Sequence, residues 1–192
     1  MNAAFTAVCS DIDSLQNAGQ DQKSLHKFRV FSLNYDLITT SKNTEKHTMF
    51  YTTERDKMRQ FYVETWQKAT QNQPMDAMET MVARVIEMHP EYHMMLTNEK
   101  HLGNDYLPEL GETNPFLHMG MHLGLQEQVA LDRPTGIQAL YQQLGNQIGD
   151  VHETEHAMMD CLGEALWQSQ QQQGLPDEEA YLSCLKNLLS PS

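Results

Sequence analysis

Three pairs of histidines recur at a spacing of four: His89 with His93, His118 with His122, and His152 with His156. Nine histidines scattered at random over 192 residues would give about 0.4 such pairs. On a helix, residues four apart share a face. Each pair can therefore place two imidazoles where they hold one metal ion, or two ions in a shared site. The middle pair is the most informative, because every other residue from Pro115 to Leu125 is apolar or glycine. A helix of that composition is buried on most sides. A buried imidazole group left without a partner costs roughly 1–3 kcal/mol, so partners must exist in the fold. From His101 to the C-terminus thirteen acids face only two bases, Arg133 and Lys186. Metal ions or protonated histidines would supply the missing positive charge.

The expected ligand set is led by His118 and His122, joined by His152 and His156, and then by Glu112 or Asp160. Glu112 lies two residues before Asn114 and can reach back over a helix end. Asp160 continues the row begun by His152 and His156, although four-residue steps drift by about 40° each toward the polar side. His89 and His93 form a further candidate pair, with Pro90 between them setting the first outside a helix. Imidazole with carboxylate points to iron or zinc. No Gly-rich phosphate loop, nucleophile or Ser-His-Asp order stands out, so no nucleotide cofactor and no catalytic residue are assigned. Twelve of the 13 methionines fall between Met49 and Met159 at helical spacing, which reads as core filling rather than copper coordination. The competing reading is a metal-free adaptor, whose acidic surface or Met-rich face binds a partner protein while the histidines tie helices together.

Helices must position these residues. Thr52 or Thr53 can cap a first helix in which Met58, Phe61, Tyr62, Thr65 and Trp66 share a face. Pro74 opens a second pattern, with Met78, Met81, Val82, Val85 and Ile86 on one side, that must end near His89 because of Pro90. A short helix follows from Pro90 to Leu96, then a long polar connection from Thr97 to Thr113. Asn114 and Pro115 start a helix reaching about Leu131; Ile137 to Ile148 forms the next, closed by Gly149. Asp150, with Glu153 three residues on, caps a long helix ended by Gly174, and Pro176 with Asp177 begins the last. The expectation is an all-α protein, a single bundle of about six helices over residues 49–192. Residues 1–48 form a weakly ordered extension that is not necessarily native, with one strand-like patch from Phe28 to Thr39.

Composition bounds the function. Hydrophobic residues at 40% and charged ones at 20% describe a globular chain. A formal charge of −13 has the wrong sign for displacing counterions from phosphates, which argues against nucleic acid as a partner. No run of 18 apolar residues or secretory segment is visible, so no membrane is implied and a cytoplasmic address is expected. Cys9, Cys161 and Cys184 are odd in number and far apart, and read as free thiols.

Several stretches together carry a likeness: HPEYH at 89–93, GETNPFLHMGMHLGLQEQ at 111–128, DRPTGI at 132–137 and HETEHAMMDCLGEALWQ at 152–168. Through them the chain from Met49 to about Leu189 resembles a small proteobacterial family, number 1841 of the domain-of-unknown-function series. The resemblance places all three His pairs inside family-like segments and leaves residues 1–48 outside. It implies no activity, because the family has none assigned. Likeness to His-rich bundles such as the hemerythrin-like and DinB-like groups is an analogy of fold alone.

Overall fold

The computed structural model describes residues 45–97 and 114–190, with side chains from residue 55 onward. The strand-like patch, Cys9 and Glu112 lie outside the described residues, as does nearly all of the polar connection. Seven helices and no strand occur among the described residues, as expected of an all-α chain. They are α1 (Glu45–Thr70), α2 (Ala77–Glu87), α3 (Pro90–Leu96), α4 (Pro115–Leu131), α5 (Ile137–Ile148), α6 (Val151–Gln172) and α7 (Glu178–Asn187). By contacts the chain divides into two compact units, with the boundary between Leu123 and Gly124 inside α4.

In the first unit α1 packs on α2 and α3. The helix α1 begins at Glu45, so Thr52 and Thr53 are interior residues rather than caps. It closes through Asn72, whose φ of 52° is left-handed; Gln73 N–H then donates to Lys68 O at 2.9 Å and Asn72 N–H to Ala69 O at 3.1 Å. Asp76 and Glu79 cap α2 reciprocally: Glu79 N–H donates to Asp76 Oδ1 at 2.8 Å, and Asp76 N–H to Glu79 Oε2 at 2.9 Å. Lys68 Nζ also donates to Glu79, tying α1 to α2. The core of this unit holds Tyr62, Val63, Met78, Met81, Val82, Val85, Ile86, Leu96, Phe116, Met119 and Leu123, all buried. The methionines Met78, Met81 and Met119 thus fill core, as their spacing implied. Arg59 is buried with its guanidinium carbon 5.0 Å above the Phe116 ring, a cation–π contact from α1 to α4.

The second unit joins the end of α4 to α5, α6 and α7. Asp132, at φ 49°, ends α4, and its Oδ1 accepts from Gly136 N–H at 2.9 Å and Gln138 N–H at 3.1 Å. Gly149 closes α5 at φ 82°, a conformation open to glycine because it has no Cβ. Asp150 accepts from Glu153 N–H at 3.0 Å to start α6. Gln173 takes the left-handed position at the end of α6, one residue before the expected Gly174. Leu125, Val129, Ile137, Leu140, Tyr141, Leu144, Met158, Leu162 and Leu185 form this core.

Cys161 and Cys184 are joined by a disulfide, with Cα atoms 5.8 Å apart, which corrects the free-thiol reading. The turn after α6 brings α7 back alongside it, so residues separated by 23 in sequence meet in space. Spacing along the chain carries no sign of that return. No described helix is long and apolar enough to cross a membrane.

Candidate metal centre

In the first unit three imidazoles from two segments meet. His89 follows α2 and caps α3; its backbone, at φ −124° and ψ 70°, is non-helical because Pro90 excludes the helical conformation from the residue before it. His118 and His122 come from α4, which Asn114 starts by accepting from Phe116 N–H at 3.1 Å and Leu117 N–H at 3.3 Å. His89 and His122 are fully buried and His118 half-buried. Ring centroids are 4.8 Å apart for His89 and His118, 4.7 Å for His89 and His122, and 5.0 Å for His118 and His122. One nitrogen from each of the three rings lies within 4.8 Å of the others.

The protons in this cluster follow from the partners. His89 Nδ1 lies 2.7 Å from Val85 O, and a carbonyl only accepts, so Nδ1 carries the hydrogen. Nε2 of the neutral ring therefore presents a lone pair. It lies 2.9 Å from Nε2 of His118, so in the metal-free neutral pair His118 donates. A ring that gives one N–H to a backbone carbonyl and aims its other nitrogen at a shared point is the usual arrangement of a metal-bound histidine. Metal–nitrogen bonds of about 2.0–2.1 Å set tetrahedral ligand nitrogens about 3.3 Å apart, so the His89 and His118 nitrogens need to part by only about 0.4 Å. Tyr92 stacks on His89, with centroids 5.4 Å apart and planes within 5°, and lies 6.0 Å from His118 edge-on. It steadies the ring that carries the Val85 bond.

His93 has a different environment. Its Nε2 donates to Ile86 O at 2.9 Å, near the end of α2, and its ring centroid is 4.2 Å from that of Trp66. The 89/93 pair is thus divided by Pro90: one ring joins the cluster and the other holds a helix end.

In the second unit His152 and His156 share a face of α6, half-buried, with ring centroids 4.0 Å apart. One ligand atom from each, and a carboxylate oxygen of exposed Glu153, lie within 4.8 Å of one another. Asp160 is exposed on α6 and belongs to neither grouping.

Sequence reasoning read Glu153 only as part of a helix start and overlooked Glu155. Glu155 is fully buried, accepting from Gln126 Nε2 at 3.1 and 3.2 Å and from the Tyr141 hydroxyl at 3.2 Å. Burial pushes its carboxyl up to about 7, against the opposing pull of those two hydrogen bonds and of His152 and His156. A signal existed: Glu155 falls on the stripe of Val151, Met158 and Leu162, the buried face of α6.

Neutral imidazoles suit zinc, iron, copper or nickel rather than magnesium or calcium. The first unit therefore offers a buried cluster able to hold a metal ion. Among known proteins, residues 54–187 match the family described as "Domain of unknown function (DUF1841)". Neither the curated proteins nor the solved structures gave a match.

Proposed function

From the premise that the chain belongs to the DUF1841 family, we propose that it is a transition-metal-binding helical protein whose site includes His89, His118 and His122. The observation that carries this reading is the 2.7 Å bond from His89 Nδ1 to Val85 O, which turns an unprotonated nitrogen toward two further imidazoles. Iron or zinc fits the donor set. In the bound state the three rings orient the ion, Val85 O fixes the tautomer of His89, and Tyr92 restrains its plane. The charge of −13 favours cations over phosphate-bearing partners.

The test is element-resolved mass spectrometry of untagged protein, followed by titration with zinc and iron after chelation. The expected result is about one tightly held ion at this cluster, with the affinity for it lowered at least about 100-fold in His118→Ala/His122→Ala. Protein that takes up neither zinc, iron nor manganese, with the variant losing only stability, overturns the reading. That outcome favours the metal-free adaptor, for which the 2.9 Å contact between His89 and His118 speaks, since it is a complete hydrogen bond without an ion. A cytoplasmic address sits uneasily with the Cys161–Cys184 bond, because cytosolic thiol pools keep such pairs reduced.

A further inference from the structure

We propose that His152, Glu153 and His156, in the first turns of α6, form a second cation site, taking a divalent late first-row metal such as zinc or cobalt. The experiment below separates it from the reading of the buried cluster. Two imidazoles and a carboxylate offer their ligand atoms within 4.8 Å of one another, from a five-residue stretch of one helix. Its backbone is fixed by the Asp150 cap and by burial of Val151, Thr154 and Glu155 on the opposite face. The site is therefore carried on a rigid element. Two imidazoles with one carboxylate on one side of an ion leave its outward positions to water, the pattern of an open rather than a closed metal site.

Charge favours the same assignment. The carboxylate of Glu153 has no Lys or Arg within the surrounding stretch: the bases nearest in sequence are Arg133 and Lys186. The positive end of the helix dipole opposes a cation in the first turn, and the carboxylates of Asp150 and Glu153 offset it. With ring centroids 4.0 Å apart on one helix face, the two imidazoles are close enough to bind one ion together.

Untagged full-length chain, stripped by chelation, is titrated with zinc and, in parallel, with cobalt followed by its visible absorption. The comparison is with His152→Ala/Glu153→Gln and with His118→Ala/His122→Ala, helix content being checked by circular dichroism. The wild type takes about two equivalents; His152→Ala/Glu153→Gln takes one fewer, its second ion weakened at least about tenfold. His118→Ala/His122→Ala keeps the α6 ion. Two equivalents retained by His152→Ala/Glu153→Gln overturn the proposal, as does a single wild-type ion removed by His118→Ala/His122→Ala. A single ion removed only by His152→Ala/Glu153→Gln upholds this site and sinks the buried one. A wild type that binds nothing sinks both.

Discussion

The two units treat the same spacing of histidines in opposite ways. In the first, His89 and His122 are fully buried, and the protons around His89 are set by a backbone carbonyl and by His118. In the second, His152 and His156 stay half-buried, while a carboxylate, Glu155, is fully buried and held by Gln126 and Tyr141. Four-residue spacing guarantees only that two rings share a helix face. What lies over that face decides whether they become a buried donor cluster, a half-open pair or, as with His93, a bond to a helix end.

The largest expected effect separates the members of the pair that Pro90 divides. His89→Ala removes both the Val85 bond and a cluster nitrogen, and weakens metal retention in the first unit by at least about 100-fold. His93→Ala loses one bond to Ile86 O, costs about 1 kcal/mol, and leaves retention unchanged. Metal content and urea melts of both variants check this; equal metal losses would show that the pair acts as one unit.

Next comes the covalent tie that distinguishes the second unit. Closing a loop over a separation of 23 stabilises by about 3 kcal/mol in the chain-entropy account. Reduction, or Cys161→Ser/Cys184→Ser, therefore lowers the unfolding free energy by about that much while zinc retention by His89, His118 and His122 persists. A loss of that retention on reduction would mean the units are not independent in stability.

The smallest effect is a pH profile. The folded Glu155 carboxyl, raised to about 7 from 4.5, keeps its proton where the unfolded chain has released it. Its contribution therefore makes stability fall as pH rises from about 4.5 to about 7, and become flat above. In metal-free protein the stability difference between wild type and Glu155→Gln should shift by about 2 kcal/mol between pH 5 and pH 8. A difference independent of pH would place the carboxyl near its ordinary range.

Much of this was legible before any coordinates. Asn114, Asp150, Asp177, Pro90 and Gly149 bound their helices as their side chains or backbone restrictions dictate, and the apolar run around His118 and His122 announced burial. The start of α1 was not legible, since its residues before Thr52 lack the apolar period that marks a buried face. Glu155 was hidden in plain view: the four-residue row through His152, His156 and Asp160 drew the eye to the polar side, while its own register pointed inward. The pairing of Cys161 with Cys184 depends on a chain reversal that no local pattern encodes.

That reversal has a practical consequence. The stretch enclosed by the Cys161–Cys184 bond contains the glutamine-rich end of α6 and Leu175, which is 93% exposed and the natural place for a protease to cut. A nick there leaves both fragments covalently joined, so the protein migrates on a non-reducing gel as one band. The damage shows only when thiol is added.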